Sequence, residues 1–144
     1  MNFSSSTAEK VSFASGQDVA LNMAFNGAGN IKEVDLPENL SCIPSMGFMS
    51  CMSLESVVLP GGLEEMGSNA FAACTSLADL VFETTQLSEI PDYAFQSCAI
   101  ETVSIPEGVE TIGEGAFFDI KNNKDAGTGR EQHRGSAFCP TDCN

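Results

Sequence analysis

Six cysteines and one histidine are the residues of this chain best suited to metal binding or nucleophilic catalysis. Cys139 and Cys143 form a C-x3-C pair near His133, the only histidine. Two thiols and one imidazole fall short of the four ligands of a structural zinc site, whose cysteines are usually spaced C-x2-C. We therefore expect no metal site in this segment. A lone histidine in a polar tail also argues against Ser-His-Asp and Cys-His catalysis.

Three other cysteines recur at a regular interval, since Cys51, Cys74 and Cys98 are 23 and 24 residues apart. Residues that recur once per turn of a coiled chain stack about 4.8 Å apart, within the range that a disulfide tolerates. Side chains that run parallel into a core do not point at one another, however. We predict three buried free thiols that act as small apolar filler. Cys42 stands outside this spacing and is predicted to lie in a loop.

The ionisable residues are mostly acidic, with 20 Asp and Glu against 6 Lys and Arg and a formal net charge of −14. Such a surface repels nucleic acid and anionic lipid heads, so neither is expected as a partner. The chain contains no glycine-rich phosphate loop, no calcium-loop motif and no apolar run long enough to insert into a membrane. We therefore expect no cofactor and no enzymatic activity. The first residues lack the features of a secretory signal, and the cell location stays open.

A repeat of about 23 residues sets the elements that position these side chains. Residues 54–76 read LESVVLPGGLEEMGSNAFAACTS, and the same pattern returns from Ile31, Leu77 and Ile100. Repeats 1 to 4 are residues 31–53, 54–76, 77–99 and 100–120; the third has one extra residue before Leu87 and one fewer after Cys98. We divide the chain into an N-terminal segment with one degenerate repeat or cap, the four-repeat array, and a polar flexible tail: 1–30, 31–120 and 121–144.

Each column of the repeat has a physical interpretation, taken here from repeat 2. Val57 and Leu59 alternate with outward positions, which is typical of a short strand with one buried face. Pro60 ends that strand because it lacks an N–H. Ala70 allows a short helix to approach its neighbour, and Phe71 fills the centre of the repeat.

One repeat cannot bury enough apolar surface to offset the conformational entropy of about 23 ordered residues, so the repeats must stack. The sequence therefore predicts an α/β-type repeat solenoid that coils in the right-handed sense. One strand from each repeat should form a parallel sheet on the concave face, with short helices or turns on the convex face.

The motif LxxVxLPxxLxxIGxxAFxxC, clearest in residues 54–74 and 100–117, resembles the BspA-type leucine-rich repeats, also called the Treponema pallidum type. This resemblance covers residues 31–120 and extends to residue 8 if the degenerate repeat is included. It implies a leucine-rich repeat solenoid. It also implies a surface or secreted protein that adheres to host or matrix proteins, as members of this family often do.

The outward positions of the predicted strands are the candidate binding surface for a protein or peptide ligand. Small side chains leave such a face flat, and Val58 and Val81 would form an apolar centre with a charged rim. The candidate ligand-binding residues are Glu33, Asp35, Ser56, Val58, Asp79, Val81, Thr102 and Ser104.

A structural role is the alternative to ligand binding. The chain would then be a spacer, or a fragment of a longer repeat array, without a ligand of its own. This alternative predicts self-association through the array ends, because the last strand, expected at 103–105, has no following strand to pair with.

Overall fold

Short strands joined by tight turns build the fold of this protein. The computed structural model describes residues 5–13, 25–83 and 86–120. The strands in these ranges are β1 (Lys10–Ser12), β2 (Glu33–Asp35), β3 (Cys42–Ile43), β4 (Ser56–Leu59), β5 (Glu65–Met66), β6 (Asp79–Phe82), β7 (Glu89–Ile90) and β8 (Thr111–Ile112).

The largest sheet has four parallel strands in the order β1-β2-β4-β6. Val34 of β2 pairs with Val57 of β4, which pairs with Leu80 of β6, so the same column of consecutive repeats lies in register. These three side chains are buried, whereas their neighbours along each strand point outward. The predicted parallel-sheet solenoid is therefore confirmed. β1 adds a strand from the N-terminal segment, with Val11 paired to Val34.

A second ladder runs along the side of the solenoid in two parallel pieces, β3-β5 and β7-β8. Within each piece a glycine N–H donates to the preceding repeat: Gly67 to the Ile43 carbonyl at 2.8 Å, and Gly113 to the Ile90 carbonyl at 2.7 Å. Pro91 occupies the same column between them and has no N–H to donate, which explains the break between β5 and β7. Cys42 lies in β3, so its placement in a loop was wrong.

Of the short helices or turns that the sequence predicts on the face opposite the large sheet, the structure forms turns. Within the described residues no helix is present. Each repeat instead holds two residues with positive φ, four positions apart, such as Asn69 at 60° and Ala73 at 61°. A left-handed residue breaks the helical path. The N–H groups then alternate between partners: Ala72 donates to Asn69 within its repeat, and Phe71 donates to Ala94 of the next.

The strand expected at 103–105 of repeat 4 is not formed. In repeats 2 and 3 a turn precedes the strand; the N–H of Leu77, for example, donates to the Cys74 carbonyl at 3.0 Å. Repeat 4 has only one residue between Cys98 and Ile100, where the earlier repeats have two. This shorter turn lies directly before the segment that does not pair with β6, and β6 is the last strand of the sheet.

A stack of phenylalanine rings runs through the core, one ring per repeat. The centroid separations are 5.1 Å for Phe48–Phe71, 5.4 Å for Phe71–Phe95 and 5.4 Å for Phe95–Phe117, with interplanar angles of 2° to 15°. Phe25 continues the stack, 5.1 Å from Phe48. Offset stacking at such distances adds to the stabilisation from buried area alone. The Ala-Phe columns are therefore the centre of the core, as predicted.

The three regularly spaced cysteines are buried free thiols, as predicted. Each donates to a phenylalanine carbonyl of the preceding repeat: Cys51 to Phe25 at 3.0 Å and Cys74 to Phe48 at 3.0 Å, with Cys98 to Phe71 at 3.2 Å. The thiols therefore do more than fill space, because they satisfy buried backbone carbonyls.

Contacts between neighbouring thiols, together with burial, shift their pKa values. The pKa of Cys51 is raised by the neighbouring Cys74 thiol and by burial. The neighbouring Cys51 thiol lowers the pKa of Cys74, but the Cys98 thiol and burial outweigh this effect, so the pKa of Cys74 is raised. Both thiols therefore stay protonated in the folded chain well above pH 8. Their contribution to stability is complete below the unfolded pKa of about 8.5 and declines at higher pH.

Thiol labelling of the native chain should reach Cys42 and leave Cys51, Cys74 and Cys98 unmodified. A reagent needs an accessible thiolate, and only the first of the four is exposed. Peptide mapping by mass spectrometry after labelling at pH 8, with and without denaturant, measures each site. Native labelling of the three core thiols as rapid as that of Cys42 would contradict the buried column.

The polar tail, with Cys139, Cys143 and His133, lies outside the described residues, so the expectations for these three residues stay predictions. The boundaries of the N-terminal segment, the array and the tail also stay predictions.

Candidate protein-binding surface

The outward side chains of β2, β4 and β6 form one surface, here called the strand face. Parallel pairing places Glu33 beside Ser56 and Ser56 beside Asp79, so three of the candidate residues form a row across the sheet. Asp35, Val58 and Val81 lie two positions further along the same strands. Thr102 and Ser104 are exposed but belong to no strand, so the structure does not bring them into this sheet.

Two adjacent valines are the exposed apolar part of the strand face. Val58 pairs with Val81 in register, and their exposed fractions are 41% and 49%. The equivalent position of β2 is the charged Asp35. Two exposed valines side by side form an apolar contact area that the fold itself does not use. Single exposed apolar residues are common on protein surfaces, whereas adjacent ones indicate an interaction site.

Lys10 changes the electrostatics of this surface, and the sequence argument did not single it out. Its ammonium Nζ lies 3.1 Å from Glu33 Oε2 and 3.4 Å from Asp35 Oδ2. Hydrogen bonds to these two carboxylates raise the pKa of Lys10. The sequence could have predicted this contact, because aligning Val11 with Val34 places Lys10 in the same column as Glu33. The acidic rim is therefore partly neutralised at β2, while Asp79 on β6 is in no ion pair among the described residues.

A depression of about 260 Å³ lies on the strand face between β2 and β4. Its volume is below the range of about 300–1,000 Å³ typical of small-molecule sites, so it is better matched to one side chain of a partner. Four carboxylates and two outward positions of β4, of which Ser56 is half-buried, line it: Glu33, Asp35, Glu38, Glu83, Ser56 and Val58.

Neither a metal site nor a membrane-crossing helix is present in residues 5–13, 25–83 and 86–120. No three His, Cys, Asp or Glu side chains in these ranges are placed to hold a metal ion together. The same ranges contain no helix long and apolar enough to cross a membrane.

The stacked parallel strands, the repeated Leu-Pro and Ala-Phe columns and the exposed sheet face define a leucine-rich repeat protein. The family model for the BspA type leucine rich repeat region, with six copies, matches residues 2–124. The chain therefore belongs to the BspA-type leucine-rich repeat family.

Solved structures share this fold. A leucine rich cell surface protein from Faecalibacterium prausnitzii A2-165 is 30% identical, with a TM-score of 0.56, over 59% of this chain and 23% of that one. The leucine rich repeat protein of T. pallidum is 23% identical, with a TM-score of 0.54, over 78% of this chain and 64% of that one. This chain thus spans less than two thirds of either relative. Comparison with curated proteins found no significant match.

Proposed function

We propose that the chain is a non-catalytic interaction module that binds a protein or peptide through the strand face and acts at the cell surface. The observation that carries this proposal is the exposed Val58–Val81 pair, held in register on a rigid sheet. Repeat solenoids commonly use such extended faces for binding. The cell-surface role is supported by the description of the Faecalibacterium prausnitzii relative as a cell surface protein.

The chemistry of the strand face indicates an extended segment with an apolar residue flanked by basic ones. The two valines offer contact to an aliphatic or aromatic side chain. Asp79, Glu38 and Glu83 stand around them without a cation among the described residues, because Lys10 contacts only Glu33 and Asp35. A lysine or arginine of the partner would complement these carboxylates, and its association should slow as salt rises.

The double substitution Val58→Lys and Val81→Lys should remove ligand binding while the chain stays folded. Lysine at both positions replaces the apolar contact with charge, and residues at the centre of an interface commonly change affinity by about 30-fold or more. Surface plasmon resonance against a panel of purified matrix proteins identifies a ligand and then measures the loss. The circular dichroism spectrum and melting temperature should remain close to wild type, because both side chains point to solvent.

The matched control is Met52→Lys with Phe118→Lys. These residues are also exposed, at 56% and 50%, but lie outside the strand face, and the control adds the same charge. Binding should survive in the control. Full affinity in the valine variant, or loss of affinity in the control variant, would show that the ligand binds elsewhere.

A further inference from the structure

The last repeat leaves one side of the core open. Val57, Leu63 and Ile90 are buried at 2%, 0% and 0% exposure in earlier repeats. The corresponding residues of repeat 4, Val103, Val109 and Ile112, are only partly buried. Ile105 is partly buried as well, like Leu36 and Phe82 in its own column. Val103, Ile105, Val109 and Ile112 are here called the end patch. The turn side of the same repeat is closed, since Ala116 and Phe117 are 0% and 1% exposed. The opening is therefore confined to the strand side.

The backbone beside the end patch is also unpaired. Residues 102–105 belong to no strand, and their N–H and carbonyl groups form no backbone hydrogen bond within the described residues. They follow β6, the last strand of the large sheet. Repeat 4 is nevertheless held to repeat 3 on its other two sides, by β7-β8 pairing and by bonds such as Phe95 N–H to the Ala116 carbonyl at 2.8 Å. An anchored segment with free donors and acceptors is a template for another strand.

We propose that the end patch and the backbone of 102–105 bind an extended strand of another protein, with apolar residues at alternate positions and basic residues at its ends. Backbone hydrogen bonds to 102–105 would supply affinity, and alternate side chains would cover Val103 and Ile105. This site is distinct from the strand face, because it faces along the solenoid axis rather than outward from the sheet.

Charge selects a foreign strand over a second copy of this chain. Residues 77–120 contain nine carboxylates and no lysine or arginine. Two copies that met through this end would bring both acidic sets together, which is unfavourable. The other end of a second copy is poorly suited too, because Phe13 closes the ring stack edge-on to Phe25 at 6.2 Å. Lys10 and Lys32 at that end are already in ion pairs.

The chain's own tail lacks the required pattern. Residues 121–144 read KNNKDAGTGREQHRGSAFCPTDCN, in which Phe138 is the one large apolar residue and is followed two positions later by a proline. They cannot place apolar side chains at alternate positions over the end patch. A partner from outside the chain is therefore the occupant that fits both the apolar and the charged features.

Hydrogen exchange of the full chain with a synthetic peptide tests the proposal. The peptide Lys-Lys-Thr-Val-Thr-Val-Thr-Lys-Lys should slow exchange of the amides of 102–105 in the wild-type chain, and to the same extent in the Val58→Lys, Val81→Lys chain, whose strand face has lost its apolar pair. Glu110→Lys should weaken peptide binding by about fivefold, because an attractive charge becomes repulsive. The control is Glu64→Lys, because Glu64 occupies the column of Glu110 in repeat 2. The backbone N–H of each glutamate donates to a serine carbonyl of the preceding repeat. It should change affinity by less than about twofold.

Further arms distinguish the competing occupants. A peptide with N-methylated valines should not protect the amides of 102–105, since its valine backbone donors are lost. The Val58→Lys, Val81→Lys chain should still bind the original peptide, so failure of the strand-face proposal leaves this result unaffected. Amides of 102–105 that are protected before peptide is added would show that the tail or a second copy occupies the site, and sedimentation would tell which. That result, or equal effects of Glu110→Lys and Glu64→Lys, would overturn the proposal.

Discussion

Replacing Phe71 with alanine is expected to lower the free energy of unfolding by about 3–5 kcal/mol, the usual cost of emptying a phenylalanine site in a core. Its side chain is 0% exposed and lies between two parallel rings, Phe48 at 5.1 Å and Phe95 at 5.4 Å. The substitution removes both ring contacts and leaves a cavity in the middle of the array. Urea denaturation followed by circular dichroism measures the change.

Phe118→Ala is the matched control for that substitution. Phe118 has the same side chain on the same type of turn but is 50% exposed, so its loss should cost well under 1 kcal/mol. Ser56→Ala, at an outward position of β4, should also cost well under 1 kcal/mol. If Phe71→Ala destabilised the chain no more than these two substitutions, the assignment of the phenylalanine column to the core would be wrong.

Gly67→Ala is expected to destabilise the chain by about 1–3 kcal/mol, because an added methyl group overpacks the contact between two repeats. A Cβ at this position would meet the backbone N and the Oγ of Ser45 in the preceding repeat. The obstacle is mainly backbone and cannot rotate away. Moving it would strain the bond from the Gly67 N–H to the Ile43 carbonyl that follows β3-β5 pairing.

Gly61→Ala separates this steric effect from the general effect of removing a glycine. The nearest atom to a Cβ at Gly61 is Glu38 Oε2 at 3.5 Å, an ordinary contact with the end of a flexible side chain. This variant should keep wild-type stability or gain slightly, since alanine restricts the unfolded chain. Thermal unfolding measures the melting temperatures of the two variants. Similar melting temperatures for Gly67→Ala and Gly61→Ala would argue against a close approach of the Gly67 backbone to Ser45.

The column that contains Gly67 shows how neighbouring repeats constrain each other. It reads Pro44, Gly67, Pro91 and Gly113, and each glycine follows a repeat that has proline there. A Cβ at Gly113 would meet the Asp92 backbone N at 2.5 Å, much as one at Gly67 meets Ser45. Proline and glycine are typical turn residues, but only the stacked repeats show which atoms make glycine necessary at positions 67 and 113.

The candidate site was predictable as far as it follows from strand alternation. Val58, Val81 and Asp79 point outward because alternate residues of a strand face opposite sides, which the sequence shows directly. The ion pairs of Lys10 were not predicted, since they depend on β1 joining the sheet from a weakly matching segment. The unpaired segment at 102–105 follows a turn that is one residue shorter than in the earlier repeats, and the sequence pattern there still predicted a strand.

The sequence by itself determined the repeat length, the buried columns and the parallel stacking. These follow from the periodic placement of apolar residues, because any coil with that period must align Phe48, Phe71 and Phe95 to bury them. The tertiary structure alone decided the path between the columns. Positive φ at Asn69 and Ala73 carries no clear sequence signal, since neither residue is glycine. These conformations arise because alternate N–H groups donate to the next repeat, and that hydrogen bonding exists only when the repeats are stacked.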